Sequence, residues 1–335
     1  MTNYSSNDIA IAIINWNGKH LLEQFLPSIT DYSGDATVYI IDNASSDDSI
    51  PFIESNYPKV KTVVLDDNYG YAGGYNKGIT HISEPIICCL NNDVEVTNAW
   101  LDPIIDSFNR DDNCAIMQPK ILDYKNRASF EYAGAAGGFV DKYGYPFCRG
   151  RLFNAIEQDN GQYNDEREIF WASGACLFIK KEVFTDLNGF DADFFAHIEE
   201  IDLCWRAYNT GFKIKYNGNS HVYHVGGSTL KNSNPQKTFL NFRNSLYALL
   251  KNTPSPTRLI FMRLLLDGIA GIRFLVHLQP GHFLAIIKAH LSFYKNFSKM
   301  QSKRNYTDNK RSNYFKITSA VWLYFVLRIK VLKEL

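Results

Sequence analysis

Apolar runs that stop abruptly at polar residues recur through the first third of the chain. Residues 9–14 break at Asn15-Trp16-Asn17-Gly18, and residues 37–41 break at Asp42-Asn43-Ala44-Ser45-Ser46-Asp47-Asp48. Residues 60–65 run into Asp66-Asp67-Asn68, and Ile86-Ile87-Cys88-Cys89-Leu90 stops at Asn91-Asn92-Asp93. Continuous apolar runs of this length suit strands covered on both faces. Between the first two, Leu21, Leu22, Phe25, Leu26 and Ile29 recur at helical spacing. A helix is expected over 50–57, with Pro51 in its first turn. The alternation predicts βαβ units and an α/β fold, a mostly parallel central sheet flanked by helices. Ligands of such sheets collect beyond the carboxyl ends of the strands. The Asn, Asp and Gly residues that end the runs share that edge.

The stretch 68–78 reads as a loop whose four glycines (Gly70, Gly73, Gly74, Gly78) permit close backbone approach to a ligand. It is not Gly-x-x-x-x-Gly-Lys-Ser/Thr, and the first strand lacks Gly-x-Gly-x-x-Gly, so neither a P-loop nor a dinucleotide site is supported. Asn91-Asn92-Asp93 reads either as a turn or as a ligand site. Residues 97–110 are expected to form a helix and 114–118 a short strand. The glycines and aromatics of 120–165 predict hairpins or an irregular excursion. Residues 169–179, with Trp171 and the small Ser173-Gly174-Ala175, predict a strand lining a pocket, followed by a helix over 181–187.

Glu199, Glu200 and Asp202 then open an amphipathic helix that ends near Gly211. The helix dipole accounts for one or two of these acids. A carboxylate among apolar neighbours and other acids has a raised pKa, as a general base requires. A short strand is expected over 212–216. After it, His221 and His224 lie in a stretch ending Gly226-Gly227-Ser228, where His224 is either structural or a ligand to metal or phosphate. Asn241, Arg243 and Asn244 form either a solvated helical face or one on which Arg243 pairs with phosphate.

The net charge of zero hides an asymmetry. Residues 251–335 hold 15 Lys/Arg against 3 Asp/Glu, leaving 20 against 32 in residues 1–250. Pro254 and Pro256 mark the boundary. Residues 259–276 are interrupted by Arg263, Asp267 and Arg273, and the uncharged run 317–327 is short, so neither spans a membrane. Basic residues interleaved with aromatics fit helices lying in a membrane interface, drawn to anionic lipid. A dimerisation or lid region with a solvated basic face is the other reading. No nucleic-acid-binding module is visible. The six cysteines form no Cys-x-x-Cys pair and read as reduced, mostly buried thiols, which points to a reducing compartment. No signal peptide is seen in the first residues.

Taken in order, the motifs resemble the family 2 glycosyltransferases of GT-A fold, close in pattern to rhamnosyltransferase-like enzymes of bacterial surface polysaccharide assembly. The matching pieces are Ile13-Ile14-Asn15-Trp16-Asn17-Gly18, Asp42-Asn43-Ala44-Ser45-Ser46-Asp47, the stretch from Asn68 to Gly78, Leu90-Asn91-Asn92-Asp93-Val94, Ser173-Gly174-Ala175 and the stretch from His197 to Arg206. They cover roughly residues 8–230.

The resemblance implies a catalytic domain over 1–250, its nucleotide-sugar part at about 8–120 and its acceptor part at about 121–250. Residues 251–335, outside the resemblance, are expected to form a basic, aromatic helical tail. It implies a nucleotide-diphosphate sugar donor, with Asn15, Trp16, Asn17, Asp42, Asn43, Asn68, Gly70, Gly73, Gly74, Asn76, Asn92 and Arg243 around it. It implies a divalent cation, Mn²⁺ or Mg²⁺, with Asp93 as the main carboxylate ligand because Asn91 stands where the family has its first acid. His224 as a second ligand would favour Mn²⁺. Trp171, Gly174 and Glu199 are expected on the acceptor side. Glu200 is expected as the base, a longer side chain than the family's Asp. The implied reaction is a single inverting displacement onto a glycan or polyprenyl-linked glycan. From the cysteines and the basic, aromatic tail, the expected location is cytoplasmic, either free or peripheral on the cytoplasmic face of the inner membrane, with a homodimer as a further expectation. The competing readings are a non-catalytic nucleotide-sugar or glycan-binding protein and a sugar nucleotidyltransferase. The latter would need a longer, glycine-rich loop than Asn15-Trp16-Asn17-Gly18-Lys19.

Overall fold

A computed structural model describes residues 3–226, 234–304 and 311–332. The apolar runs become the strands at the sheet centre. In chain order they are β1 (Ile9–Asn15), α1 (Lys19–Tyr32), β2 (Thr37–Asp42), α2 (Ser49–Asn56), β3 (Lys61–Val64), α3 (Gly70–Gly78) and β4 (Ile86–Asn91). β1 pairs in parallel with both β2 and β4, with Asn15 beside Asp42 and Ile13 beside Leu90. Side chains alternate along β1. Ile9, Ile11 and Ile13 pack with Leu22, Leu26 and Trp100 on one face. Ala10 and Ala12 pack with Tyr75, Ile79 and Ile41 on the other. The small alanines let Tyr75 lie close to the sheet, where its hydroxyl donates to the Leu90 carbonyl at 3.0 Å.

Beyond β4 follow β5 (Val94–Val96), α4 (Asp102–Arg110), β6 (Cys114–Asp123), β7 (Gly138–Val140), β8 (Pro146–Cys148), β9 (Arg151–Leu152) and β10 (Ala155–Ile156). Then come β11 (Glu166–Ile169), β12 (Cys176–Lys180), α5 (Lys181–Asp186), α6 (Glu199–Asn209) and β13 (Lys213–His224). The nine-stranded sheet has the order β11-β13-β6-β12-β4-β1-β2-β3, with β5 also beside β13. Strands β1–β4, β6 and β13 run one way; β5, β11 and β12 run against them. The expected α/β sheet is thus mixed and mostly parallel. The excursion over 120–165 contains a separate four-stranded antiparallel sheet, β10-β9-β8-β7.

Several local expectations change. The helix over 97–110 begins only at Asp102, with Pro103 in its first turn. The single strand over 169–179 is two strands, β11 and β12, with Trp171 in the connection between them. The short strand over 212–216 continues to His224, because β13 pairs with β6 along its length and with β5 at its end. That extension places His224 opposite Val94, one residue from Asp93. Gly227 and Ser228 lie outside the described residues.

The C-terminal part is helical: α7 (Pro235–Asn252), α8 (Pro256–Val276), α9 (Pro280–Lys295) and α10 (Phe297–Ser302). It is built onto the body through buried polar contacts. Arg304 donates to the carbonyls of Leu250, Thr253 and Pro254 at the end of α7. Tyr314 donates to the Lys142 carbonyl at 2.7 Å. All six cysteines are buried free thiols.

Candidate active site

The carboxyl ends of β1, β2 and β4 meet in a cluster of amides and a carboxylate. Asp42 is buried, and it accepts hydrogen bonds from the Asn15 amide (3.1 Å) and from the Ser45 backbone N–H (2.9 Å) and hydroxyl (2.6 Å). The Asn92 amide donates to Asn15 Oδ1 at 3.1 Å. Asn17 Oδ1 accepts from the Ser46 N–H at 2.7 Å, which locks the two strand-end turns together. Gly18 covers this cluster, and a Cβ there would lie 2.4 Å from both the Asn15 and Asn92 side chains. Trp16 projects from the cluster, 57% exposed. A rigid polar floor with an exposed indole beside it is suited to a nucleoside: hydrogen bonds for ribose or base, and an aromatic surface beside them.

The glycine stretch is corrected from loop to helix. Only Asn68 and Tyr69 remain as its lead-in, and Gly70, at φ +67°, opens α3. Asn43 ties the lead-in down: its amide donates to Asn68 Oδ1 and the Gly70 carbonyl, both at 3.0 Å, and it accepts from the Tyr69 N–H. Gly74 is a packing position, since a Cβ would meet Ile14 Cδ1 at 2.5 Å. Gly73 sits above the Tyr69 side chain. Asn76 uses both sides of its amide on the Phe190 backbone, at 2.7 and 2.9 Å, so it anchors the segment before α6.

Two predicted ligands come together at the end of β4. His224 Nε2 lies 3.1 Å from Asp93 Oδ1, and Asn91 Nδ2 is 3.3 Å from the same ring nitrogen. Glu131 Oε1 lies 3.5 Å from His224 Nδ1, without hydrogen-bond geometry. Burial alone would lower the His224 pKa, but Glu131 and Asp93 raise it to about 10. Without a metal the two carboxylates favour the protonated ring; a cation bound at Nε2 would take the place of that proton. A carboxylate oxygen and an imidazole nitrogen at one point, with a second carboxylate behind the ring, is a donor set that fits a divalent ion. Among the described residues no group of three or more His, Cys, Asp or Glu side chains is arranged to hold a metal ion. The remaining coordination would come from diphosphate oxygens and water, as is usual for Mg²⁺ at nucleotides.

The base candidate sits at the start of α6 on a strained lead-in. Phe195, His197 and Ile198 have φ of +65°, +67° and +75°. For a β-branched residue such as Ile198 this is a true outlier, and each such residue costs about 1–3 kcal/mol. Asn244 on α7, fully buried, compensates by donating to the carbonyls of Phe194, Ala196 and His197 at 2.8–2.9 Å. Arg243 donates to the carbonyls of Asp193 and Phe194. Its guanidinium thus holds this loop.

The strained turn leaves Glu199 buried and Glu200 half-buried, each with an Oε2 that finds no hydrogen-bond partner. Burial, with Glu200 beside it, pushes Glu199 well above the carboxylate range; burial pushes Glu200 up to about 7. Both carboxyls are thus held above the ordinary carboxylate range, and two acids this close titrate together. Asp202 has a different task. Fully buried, it accepts from Arg206 (2.8 Å), Lys251 (2.9 Å) and Asn252 (2.8 Å), and so fixes α6 to α7.

The acceptor-side expectation needs one correction. Trp171 is 2% exposed, with its indole N–H donated to the Phe139 carbonyl at 2.8 Å and its ring over Gly138, so it is core. Gly174 faces Tyr71, whose hydroxyl donates to its carbonyl at 2.7 Å. The sequence carries no marker for Glu131, which lies in an aperiodic stretch, and the role of Asn244, named there only as part of a helical face, comes from its long-range contacts. Asn244→Ala removes two N–H donors, shared among three carbonyls, at about 1 kcal/mol for each donor. It is therefore expected to lower stability by about 2 kcal/mol and to depress kcat while leaving donor affinity near wild type. A Tm shift together with a large loss of donor affinity would contradict this role.

A profile of the family described as Glycosyl transferase family 2 matches residues 10–187. The N-acetylglucosaminyl-diphospho-decaprenol L-rhamnosyltransferase of Mycobacterium tuberculosis is 25% identical over 233 residues, which cover 64% of this chain and 74% of that protein. Among solved structures, GalNAc-T7 with UDP, GalNAc and Mn²⁺ superposes with a TM-score of 0.58 at 16% identity, over 72% of this chain and 48% of that one. The mannosyltransferase PcManGT of Pyrobaculum calidifontis, in complex with GDP-Man and Mn²⁺, superposes with a TM-score of 0.50 at 13% identity, over 89% and 84% of the two chains. These structural likenesses are to the GT-A fold.

Proposed function

The chain belongs to glycosyl transferase family 2, and from that premise we propose that it moves a hexosyl group, rhamnose or another, from a nucleotide-diphosphate donor to a hydroxyl of a glycan or polyprenyl-linked glycan. The observation that carries this reading is Glu200, a half-buried carboxylate with an unpartnered oxygen and a pKa pushed up to about 7, fixed at the head of α6 by a strained turn. A structural acid would be paired, as Asp202 is. A base needs a free oxygen and a pKa near the working pH.

In the proposed reaction, Asp42, Asn15 and Asn43 hold the nucleoside on the floor at the strand ends, with Trp16 beside it. Glu200 takes the proton from the acceptor hydroxyl as its oxygen attacks the anomeric carbon, and the nucleoside diphosphate leaves from the opposite side, inverting the configuration. Asp93 and His224 would hold a divalent ion, which when bound supplies charge neutralisation to the leaving diphosphate. The lipid-linked acceptor class is supported by the name of the mycobacterial relative, and the use of Mn²⁺ by the complexes of the fold neighbours. We place the reaction on the cytoplasmic face of a membrane, where nucleotide sugars are supplied.

Thermal denaturation against a panel of UDP-, GDP- and dTDP-sugars, with Mn²⁺ or Mg²⁺, tests the donor class. A true donor at 100 times its Kd stabilises by about 2.7 kcal/mol, so one nucleotide should raise Tm by several degrees only when the metal is present. Absence of any shift across the panel would overturn the donor assignment.

A further inference from the structure

Helices α8 and α9 are joined by a short turn and pack on each other and on α7. Each carries an apolar stripe that faces away from the body. On α8, Phe261, Leu265, Ile269, Ile272 and Val276 recur at three- and four-residue steps, all exposed, with Ile269 at 63%. On α9, Leu284, Ile287, Leu291 and Tyr294 do the same, with Leu291 at 64%. At the tip of the hairpin Leu278 is 88% exposed. Such a contiguous apolar surface is far larger than the scattered exposed residues of an ordinary soluble monomer.

The charges beside the stripes have one sign. Arg258, Arg273, Lys288 and Lys295 are exposed, and none of them pairs with an acid among the described residues. Helical spacing puts Arg273 one turn after Ile269, Lys288 one turn after Leu284 and Lys295 one turn after Leu291. The only acid among the described residues from 254 onward is Asp267. It is buried, and it is neutralised by Arg263 at 2.7 Å with Tyr145 at 2.9 Å and His290 at 3.2 Å. The face therefore presents apolar side chains and cations, with no anion.

We infer that the α8–α9 hairpin docks on an anionic lipid bilayer, lying in the interface with its apolar stripes among the acyl chains and its cations at the headgroups. Interfacial helices combine these two features. Among the described residues no helix is long and apolar enough to cross a membrane, so the hairpin lies on the surface. A second copy is the poorer occupant, because a two-fold contact sets the same patch against itself. Arg273, Lys288 and Lys295 of both copies would then share one interface that offers no acid to pair with them. The docked surface is also tied to the base. Past α9, Lys299 and Lys303 pair with Asp193 at 2.6 and 2.7 Å, and Lys303 also with Asp191 at 2.6 Å, in the segment leading to Glu200.

The inference stands independently of the reaction and is tested without it. The full chain is floated with vesicles of equimolar phosphatidylglycerol and phosphatidylcholine, and with phosphatidylcholine alone. Wild type should float with the anionic vesicles and partition at least about tenfold less onto the neutral ones. Lys288→Ala with Lys295→Ala should weaken partitioning about fivefold per cation, since each is worth about 1 kcal/mol near such a surface. Ile269→Asp with Leu291→Asp should abolish it. Both pairs alter only exposed positions, and circular dichroism verifies the fold. Failure of wild type to float with anionic vesicles would overturn the inference. So would flotation unchanged in both variants, or a solution dimer that the aspartate variant dissociates without any lipid binding by wild type.

Discussion

Glu200→Gln is expected to lower glycosyl transfer by about 10²–10⁴-fold, the contribution of a positioned general base, with donor affinity and Tm close to wild type. The amide keeps the shape at the head of α6 but cannot accept the hydroxyl proton. In wild type the carboxyl is held up to about 7 by burial. Below that pH the base is protonated, so transfer should fall about tenfold per pH unit, whereas the residual rate of the Gln variant should not follow this profile. Stability moves in the opposite direction. The folded state binds the Glu200 proton more tightly than the unfolded chain, whose carboxyl titrates near 4.5. The associated stabilisation is complete below that pH and is lost as pH rises through about 7. The pH at which the base works is thus the pH at which its burial is least favourable. Pre-steady-state transfer from the donor across pH 5.5 to 8.5, about one and a half units either side of the pKa, checks both arms. Near-normal transfer by Glu200→Gln would sink the assignment of the base, and with it the distinction from a protein that only binds nucleotide sugars.

Asp93→Ala should remove the metal-dependent part of donor binding. Loss of a partner that only orients a metal ligand costs 10–100-fold in metal affinity, so loss of the carboxylate itself should exceed about 100-fold. The variant also breaks the Asp93–His224 contact of 3.1 Å and leaves the buried imidazole with Glu131 as the carboxylate beside it. Breaking a buried pair from one side costs about 3–5 kcal/mol, so Asp93→Asn, which keeps the volume, is the companion variant. Calorimetric titration of nucleoside diphosphate with and without Mn²⁺ separates the effects. Wild type should bind much more tightly with metal, and both variants should bind weakly and equally in its presence and absence. An undiminished Mn²⁺ effect in Asp93→Asn would refute the metal role.

The legibility of this fold differed by element for physical reasons. The first four strands were readable because central parallel strands are buried on both faces and leave unbroken apolar runs. β13 was read at less than half its length: its second half is mostly polar, without a strand-like alternation of residue types, and only pairing with β5 and β6 makes it a strand. The stretch with Gly70, Gly73, Gly74 and Gly78 read as a loop because glycine disfavours helix. Packing against β1 and β2 overrides that preference: Gly74 and Gly78 are glycine because Ile14 and Ile41 occupy the space of a Cβ. Trp171 looked like a pocket wall in a strand of small residues, and the small residue that mattered was Gly138, which makes room for its ring.

By itself the sequence determined the sheet edge: the carboxylates and amides that end β1, β2 and β4 follow from where apolar runs stop, and the order of motifs identified the family. It also determined the charge split that leaves the C-terminal surface cationic. Only the tertiary structure decided which of these residues act together. Asp93 and His224 are separated by more than a hundred residues and meet because β5 and β13 pair. Glu200 owes its geometry to Asn244, which holds three carbonyls of a turn that local preferences oppose. Periodicity records the burial of each element against its neighbours, but a site is a set of long-range contacts, and those exist only once the elements are packed.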